Sequence, residues 1–455
     1  MYSQSIAPIL KFVIIFQLDK GDGIVVVTWW GALIGLAIAI ILILRKVDAV
    51  YSLFIGAILG SLIGGANLMQ TVNILVKGSQ SVMGTVVRVL AAGVLAGVMM
   101  DSGAANTIAR TIVDRLGDRM AILALALATM VITAVGVFIP VAVLIVAPIA
   151  LEVGERSHIS KLALLVALSG GGKAGNIISP NANTIAAAKG FGLNLSQVMI
   201  ADFIPAVVAL IVTVIVASLI KHKGVAVVKE DLADNPKIEQ SDLPSLKSSL
   251  VTPIIAVILL LINPLGQIFH VQWMSTIDLD ATYVLPFAAI IGALAMHKGH
   301  FLRSYAQTGM VKMTPVVMIL IGAGAIGATI TQSSLPQLLI SAIKVSHISG
   351  VFLAPLSGIL MAGAAASTST GVILATGSFS KAILGFGVQP LAAAAMVHTG
   401  AIVIDQLPQG NYFHVTANAM NMDIKQRSQG ILYEAICGGS ACLTATILYG
   451  FLHLI

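Results

Sequence analysis

The sequence contains very little charge. Only 10% of its 455 residues are Asp, Glu, Lys or Arg, where a soluble domain carries about 25%. This scarcity excludes an ordinary soluble enzyme, because a water-facing surface needs far more polar side chains. Aromatic residues make up 5% of the chain, and the only cysteines are Cys437 and Cys442. Their spacing fits neither a disulfide framework nor a metal site, so we expect no metal and no cofactor.

Hydrophobic residues, by contrast, make up 58% of the chain, and the mean hydropathy is +1.00. Long segments carry no formal charge, namely 24–44, 121–151, 203–220, 248–277, 313–343, 345–380 and 382–404. A helix needs only about 20 apolar residues to cross a bilayer. The longest segments therefore predict a helix, a break and a second helix, and such breaks survive in lipid only where protein or water covers them. The pattern predicts an all-α polytopic membrane protein.

Residue types locate the breaks and divide the chain into two halves. Gly136 and Pro140 mark a break within 121–151, and the small polar run 367–371 marks another. The hydrophilic stretch 221–249 is rich in Lys, Asp and Glu and predicts a linker between residues 1–220 and 250–455. The halves share a weak repeat, in which residues 100–103 match 331–334 and Pro-Asn-Ala-Asn at 180–183 matches Pro-Gln-Gly-Asn at 408–411.

The basic residues predict the topology, because cytoplasmic loops are enriched in Lys and Arg. Placing residues 1–23 outside puts most basic clusters and the central linker in the cytoplasm, and both termini outside. It leaves Arg88 and Lys173 within the membrane and Lys77, Lys189 and Lys381 among the few lysines outside. Corresponding loops of the halves then lie on opposite sides, so the repeat is inverted. Inverted repeats with broken helices are typical of secondary transporters that bind their substrate near the bilayer midplane.

The segment 169–184 is the first candidate site. Its glycines and Pro180 prevent a continuous lipid-facing helix. Amide and hydroxyl side chains beside a half-helix N-terminus suit a hydroxylated carboxylate, although Asn and Ser also link membrane helices by simple hydrogen bonds. For Lys173, binding an anionic substrate and pairing with Asp405 are equal alternatives. The predicted substrate-binding residues of this segment are Lys173, Asn176, Ser179, Asn181, Asn183 and Thr184.

The second candidate site follows from ionisable residues in the second half. An Asp or His inside a membrane segment is costly and is therefore a functional candidate. Asp405 could bind a proton or Na⁺, and His398 could titrate near neutral pH; the alternatives are a helix-terminal ion pair or cap and a neutral packed histidine. For Arg88 we prefer snorkelling or a structural ion pair. Further predicted substrate ligands are Ser367, Thr368, Ser369, Thr399, Gln409 and Asn411.

Residues 175–188, Gly-Asn-Ile-Ile-Ser-Pro-Asn-Ala-Asn-Thr-Ile-Ala-Ala-Ala, and the later Asp405-x-Leu-Pro408 resemble the gluconate permease family of proton symporters. The resemblance extends from about residue 24 to the C-terminus. It implies the ion-transporter superfamily fold, with scaffold and transport domains in a homodimer. It also implies re-entrant hairpins with tips near 136–140 and 367–371 and broken helices near 176–184 and 399–411. Where the family often has a His after the second Leu-Pro, this chain has Gln409, which leaves the exact substrate and the proton-binding residue open.

The expected function is inward, proton-coupled symport of gluconate or a related small hydroxylated monocarboxylate across the inner membrane. The alternatives within the superfamily are a Na⁺-coupled or dicarboxylate carrier and a D-serine-like permease. The other classes are a channel or non-transporting membrane scaffold and a membrane-embedded enzyme, and for the enzyme the sequence shows neither a catalytic constellation nor a metal cluster. Nucleic-acid binding is not expected, because Lys and Arg do not gather on one face. Lys11, Asp19 and Lys20 interrupt the N-terminal segment, so we expect no cleaved signal.

Overall fold

The computed structural model describes residues 27–232, 243–277, 279–335, 338, 349–408 and 410–455. These residues form helices and their connections, and within them β structure is limited to two isolated bridges. Residues 1–26, which include the segment 1–23 that the charge count places outside the cell, and the predicted ligand Gln409 lie outside the described residues. The prediction of an all-α membrane protein is confirmed for the part of the chain that is described.

In the first half, three helices begin within the charge-free segments 24–44, 121–151 and 203–220, at Trp29, Ala121 and Phe203, while a fourth begins at Ile139 within 121–151. Eleven helices form the described part of this half. They are α1 (Trp29–Leu44), α2 (Ala49–Ile63), α3 (Leu68–Ser81), α4 (Met83–Asp101), α5 (Ala104–Leu116), α6 (Ala121–Ala134), α7 (Ile139–Ser157), α8 (Lys161–Ile177), α9 (Ala182–Gly190), α10 (Leu195–Ala201) and α11 (Phe203–Leu219). The break between α6 and α7 lies where the sequence predicts it. Gly136 adopts a φ of +106°, which glycine tolerates without strain, and Pro140 occupies the first turn of α7.

The second half repeats this alternation of helices and breaks. Its helices are α12 (Leu246–Ser249), α13 (Val251–Ile268), α14 (Gln272–Ser275), α15 (Ala281–Ala295), α16 (Leu302–Thr331), α17 (Leu353–Ala365), α18 (Thr368–Gly385), α19 (Pro390–Ala401), α20 (Asn411–Ala419), α21 (Ile424–Ser428) and α22 (Gly430–Ala445), which a π-helical turn over Thr446–Phe451 extends. The predicted break at 367–371 is confirmed. Ala366 takes a φ of +45°, and the Ser367 side chain caps α18 by accepting from Thr370 N.

Length and composition give the candidate membrane-crossing helices. Among the described residues, four stretches are long and apolar enough to cross, namely Met83–Asp101, Leu246–Asn263, Gly299–Thr331 and Ile424–Phe451. Three bent pairs raise the number to seven if each pair forms one span. The bends measure 102° from α5 into α6, 42° between α8 and α9, and 44° between α10 and α11. The bend between α8 and α9 is the predicted break in residues 176–184.

The helices pack in two groups, and each group draws on both halves of the chain. In the first group, α1 to α4 pack with α15 and α16, and α13 packs on α15. In the second group, α8 packs with α6, α7, α11 and α22, while α17, α18 and α19 pack on one another. Contacts of α16 with α18 and of α4 with α9 join the groups. Elements distant in sequence are therefore brought side by side at the junction.

Two features of the first group show how it is held together. At the crossing of α4 and α16, a Cβ added at Gly97 would lie 2.1 Å from the Tyr305 carbonyl oxygen, so only glycine allows this approach. Nearby, the Arg88 guanidinium donates to Asp280 Oδ2 from Nε at 2.9 Å and from Nη2 at 2.6 Å. Partial burial raises the pKa of Asp280, but hydrogen bonds from Thr282 and Arg88 outweigh it and lower that pKa overall. Arg88 thus forms the structural ion pair preferred from the sequence.

Candidate functional site

The break between α8 and α9 is held by one amide side chain. Asn181 is the N-cap of α9, and its Oδ1 accepts from Asn183 N at 2.8 Å and Thr184 N at 3.1 Å. Its Nδ2 donates backwards to Asn176, to the carbonyl oxygen at 2.9 Å and to Oδ1 at 2.6 Å. Asparagine suits this position because it caps with oxygen and donates with nitrogen at once. Three predicted ligands, Asn176, Asn181 and Asn183, therefore lie together.

Helix α18 brings the second half of the chain to the same place. Ser369 Oγ donates to Asn183 Oδ1 at 2.5 Å, joining the first turns of α18 and α9 across 186 positions of sequence. Asn183 Nδ2 in turn donates to Asn176 Oδ1 at 3.2 Å. Two helix N-termini thus meet at one cluster of amides and hydroxyls. Because helix N-termini carry partial positive charge, their meeting point favours an anion.

Two polar atoms of this cluster have no hydrogen-bond partner within the described structure. They are Asn176 Nδ2, on a residue that is 1% exposed, and Ser179 Oγ, on a residue that is 0% exposed. Leaving a buried donor unsatisfied costs about 1–3 kcal/mol, so such atoms in a native structure call for an explanation. A ligand bound at the break would supply the missing partners. The amide can donate to a carboxylate or hydroxyl oxygen, and the serine hydroxyl can donate or accept.

The second break, between α19 and α20, is charged and fully paired. Lys173 Nζ donates to Asp405 Oδ1 at 2.6 Å, to Gln406 Oε1 at 2.7 Å and to the Ile402 carbonyl oxygen. Asp405 Oδ2 accepts from the Thr368 hydroxyl. All three ammonium donors of Lys173 are used, and its side chain is 0% exposed. Of the alternatives from the sequence, the structure shows Lys173 pairing with Asp405, which lies in the break itself and not at a helix end.

The remaining predicted ligands lie in other settings. Thr399 Oγ1 donates to its own helix, to the Ala395 carbonyl oxygen at 2.7 Å. Ser367 caps α18, and Asn411 is exposed at the start of α20. These contacts give Thr399 and Asn411 no shared interaction with the cluster of Asn176, Asn181, Asn183 and Ser369, which we call the amide cluster. Thr184 Oγ1 joins this cluster by donating to Asn181 Oδ1 at 3.3 Å, and Ser179 lies in the same break between α8 and α9.

His398 lies in a buried pair that the sequence did not predict. Its Nδ1 is 2.7 Å from Asp202 Oδ2, and both side chains are 0% exposed. Asp202 stands at the bend between α10 and α11. One signal in the sequence could have drawn attention to it, because Asp202 is the single charged residue between Lys189 and Lys221.

A second buried ion pair was also missed. Arg427 donates to Glu434 through Nη1 at 2.6 Å and Nη2 at 3.0 Å, and both side chains are 0% exposed. Tyr412 connects this pair to α8, since its hydroxyl donates to Glu434 Oε1 at 3.4 Å and bonds to the Ser169 hydroxyl. The charge count places Arg427 in a cytoplasmic loop, but the structure buries it because its carboxylate partner lies two turns further along the same segment.

The arrangement matches a solved transporter structure. The structure of Neisseria gonorrhoeae MtrF, whose title speaks of a class of antimetabolite efflux pumps, aligns with a TM-score of 0.60 and 14% identity, covering 84% of each chain. This likeness shows the fold alone. Together, the helices, the breaks and this match define the fold of a multi-pass membrane protein.

The sequence comparisons narrow the class to a family. Residues 27–448 match the GntP family permease. An uncharacterized transporter of Haemophilus influenzae is 46% identical, covering 92% of this chain and 97% of that protein. The Escherichia coli high-affinity gluconate transporter is 24% identical and the D-serine transporter DsdX of Escherichia coli O6:H1 is 22% identical, each over 77% of this chain and 81% of the relative. The chain belongs to the GntP permease family and is a transporter, not an enzyme, as expected from the sequence.

Proposed function

We propose that this protein carries gluconate or a related small hydroxylated monocarboxylate inward with protons, by alternating access. The observation that carries the proposal is the pair of unpartnered buried atoms, Asn176 Nδ2 and Ser179 Oγ, which belong to the residues around the break that precedes α9. The substrate carboxylate would accept from these donors, and its hydroxyls would exchange bonds with Asn183 and Ser369. Thr184 lies in the first turn of α9 and would orient the same end of the substrate.

The carboxylate would be recognised without a free cation. Lys173 lies three residues before Asn176 in α8, but its three ammonium donors are used by Asp405, Gln406 and the Ile402 carbonyl oxygen. The ammonium group is thus committed to the second break, and the amide cluster is left with neutral donors. The two helix N-termini supply the remaining attraction for an anion.

Helix breaks at matching places in the two halves of the chain support the proposed inverted repeat. The breaks after α6 and α17 correspond to each other, as do those after α8 and α19. We propose that the first two are re-entrant hairpin tips and that residues 1–220 and 250–455 are the inverted halves, joined by a cytoplasmic linker over 221–249. The two packing groups would serve as scaffold and transport domains, in a homodimer of the inner membrane with both termini outside.

A cleft where the two packing groups meet, which we call the junction cleft, supports an outer access route. Its walls come from α3, α4 and α16 on one side and from α9 and α18 on the other. Helices α9 and α18 are those whose N-termini carry the amide cluster. Lys77, Lys189 and Lys381 line this cleft, and the charge count assigns all three to the outer side. Their charge would draw an anionic substrate toward the cleft.

A D-serine-like substrate is the second candidate, because the D-serine transporter DsdX is among the relatives. An amino acid brings an ammonium group that needs a carboxylate or several acceptors. The described contacts of the amide cluster include no carboxylate, and Asp405 is already paired with Lys173 and Thr368. The cluster therefore favours the sugar acid.

Uptake into proteoliposomes tests the proposal. We expect labelled gluconate to accumulate above equilibrium when a pH gradient is imposed, with or without Na⁺, and to be displaced by related sugar acids more effectively than by D-serine. A channel cannot concentrate its solute, so equilibration without accumulation would contradict the proposal. Accumulation that requires Na⁺ and ignores pH would overturn the proton coupling, and accumulation of D-serine alone would overturn the substrate class.

A further inference from the structure

The pair formed by Asp202 and His398 differs from the other buried ion pairs of the described chain. His398 Nδ1 and Asp202 Oδ2 lie 2.7 Å apart, and both side chains are 0% exposed. Asp202 Oδ1 and His398 Nε2 have no hydrogen-bond partner within the described structure. Each partner therefore keeps one buried polar atom at which a proton could be gained or lost.

Asp405 lacks this freedom. Its Oδ1 accepts from the Lys173 ammonium and its Oδ2 accepts from the Thr368 hydroxyl. Protonating Asp405 would weaken the ion pair and leave the buried lysine charge uncompensated, which is costly. Lys173 and Asp405 together are neutral, so this pair has no electrostatic reason to take up a proton.

We infer that the Asp202–His398 pair is the proton-binding site that couples the proton gradient to transport; the inference rests on the proposed function. With Asp202 ionised and His398 neutral, the buried pair carries one negative charge, which is unfavourable in a low-dielectric interior. A proton taken up at His398 Nε2 or Asp202 Oδ1 neutralises the pair. Loss of the same proton to the opposite side restores the starting state, so the proton balance closes over one cycle.

The ionisable groups on the neighbouring helices decide whether anything other than a proton could neutralise the Asp202–His398 pair. Helices α9, α10, α17, α18 and α22 and the π-helical turn pack against α19, which carries His398. Helices α10, α11 and α17 have no ionisable residue. Lys189 and Lys381, on α9 and α18, line the junction cleft. The hydroxyl of Tyr449, in the π-helical turn, donates to the Ala201 carbonyl oxygen next to Asp202.

The other ionisable groups of the neighbouring helices already have partners or are thiols. Glu434 of α22 is paired with Arg427, while Cys437 and Cys442 of the same helix are free cysteines. Tyr433 bonds to Lys223. Helix α8, which packs on α11, contributes Lys161 and Lys173, and they pair with Asp231 and Asp405. Within the described contacts, no cation of these helices is paired with Asp202.

Two transport assays on reconstituted protein separate coupling from substrate binding. Gradient-driven accumulation of gluconate needs proton coupling, whereas exchange of external labelled for internal unlabelled gluconate needs no net proton movement. We expect Asp202→Asn and His398→Gln to abolish accumulation driven by a pH gradient and to retain exchange.

Asp231→Asn is the matched control, because it also breaks a buried pair, between Lys161 and Asp231, whose side chains are 7% and 9% exposed. Any loss of stability should lower its exchange and its accumulation together, so that the ratio of accumulation to exchange stays that of the unaltered protein. If a single variant fails to fold, the double variant Asp202→Asn with His398→Gln removes both charges together and is tested in the same way. Accumulation retained by these variants would overturn the inference. If the unaltered protein neither exchanges nor accumulates gluconate, the proposed function fails instead.

Discussion

The two helix breaks of the transporter look alike in sequence but differ in chemistry. The first contains Pro-Asn-Ala-Asn at 180–183 and the second Pro-Gln-Gly-Asn at 408–411, and these are the motifs that the proposed repeat matches to each other. The first break is held by neutral amides and leaves Asn176 Nδ2 and Ser179 Oγ unpartnered in the described structure. In the second break, Asp405 accepts bonds at both oxygens and pairs with Lys173.

The difference shows how the chain uses its scarce charge. A buried ion pair whose hydrogen bonds are all made holds the surrounding helices in one arrangement. It has no free donor or acceptor for a substrate that binds reversibly. Neutral donors can exchange partners at lower cost, because no bare charge is left behind when the substrate departs. We therefore expect the second break to determine folding and the first to determine binding.

The largest effect should follow from disrupting the second break. Asp405→Asn leaves the Lys173 ammonium buried without a counter-charge, which costs about 3–5 kcal/mol. We expect a clear fall in the melting temperature of the purified protein and equal losses of exchange and accumulation. The double variant Lys173→Gln with Asp405→Asn removes both charges and should recover much of the stability.

The double variant is also the control for this prediction, because it tests whether the uncompensated Lys173 charge causes the loss of stability. If Asp405→Asn instead kept its stability and its exchange while losing only accumulation, Asp405 would be the coupling residue. That result would restore the assignment made from the sequence and would contradict a purely structural role for the second break.

A smaller and more selective effect is expected at the first break. Ser179→Ala removes a buried hydroxyl that bonds to nothing in the described structure, so the free energy of unfolding should hardly change. Loss of one hydrogen bond to a bound carboxylate or hydroxyl, worth about 1.5 kcal/mol, should raise the KM for gluconate roughly tenfold. Uptake rates over a range of gluconate concentrations measure it.

Ser378→Ala provides the matched control, since Ser378 is likewise buried with an unpartnered hydroxyl in the described structure but lies in the interior of α18. Its KM should stay close to that of the unaltered protein. Equal KM values for the two variants would remove the reason for placing the substrate at the first break.

The sequence predicts the positions of the helix breaks better than it predicts which distant residues pair with the side chains at those breaks. Glycine, proline and small polar residues act locally, so Gly136, Pro180 and the run 367–371 marked the breaks correctly. The amide cluster was also predicted, because most of its members lie within one short segment. Ser369 joined it as expected, although only the structure shows its contact with Asn183.

Tertiary pairing explains what the sequence left open. Asp202 and His398 are 196 positions apart, and no local pattern connects them. The sequence likewise could not decide whether Lys173 binds substrate or pairs with Asp405, because these two residues are 232 positions apart and only the packing of the helices brings them together. Arg427 was placed in a cytoplasmic loop by charge alone, whereas its burial depends on how α21 and α22 fold back onto Tyr412 and Phe413. Charge counting locates loops but does not reveal a charge that is neutralised inside.

The smallest effect concerns the junction cleft, which is lined by Lys77, Lys189 and Lys381. Replacing Lys77, Lys189 and Lys381 together by Gln should raise the KM for gluconate a few-fold at low ionic strength, because steering by surface charge speeds association. The difference should vanish near 1 M salt, where the Debye length is about 3 Å. Lys46→Gln, an exposed lysine predicted on the opposite side, should change nothing. A KM difference that persists in high salt would mean that one of these lysines contacts the substrate directly. Substrate binding would then involve a charged side chain of the cleft as well as the neutral donors of the first break.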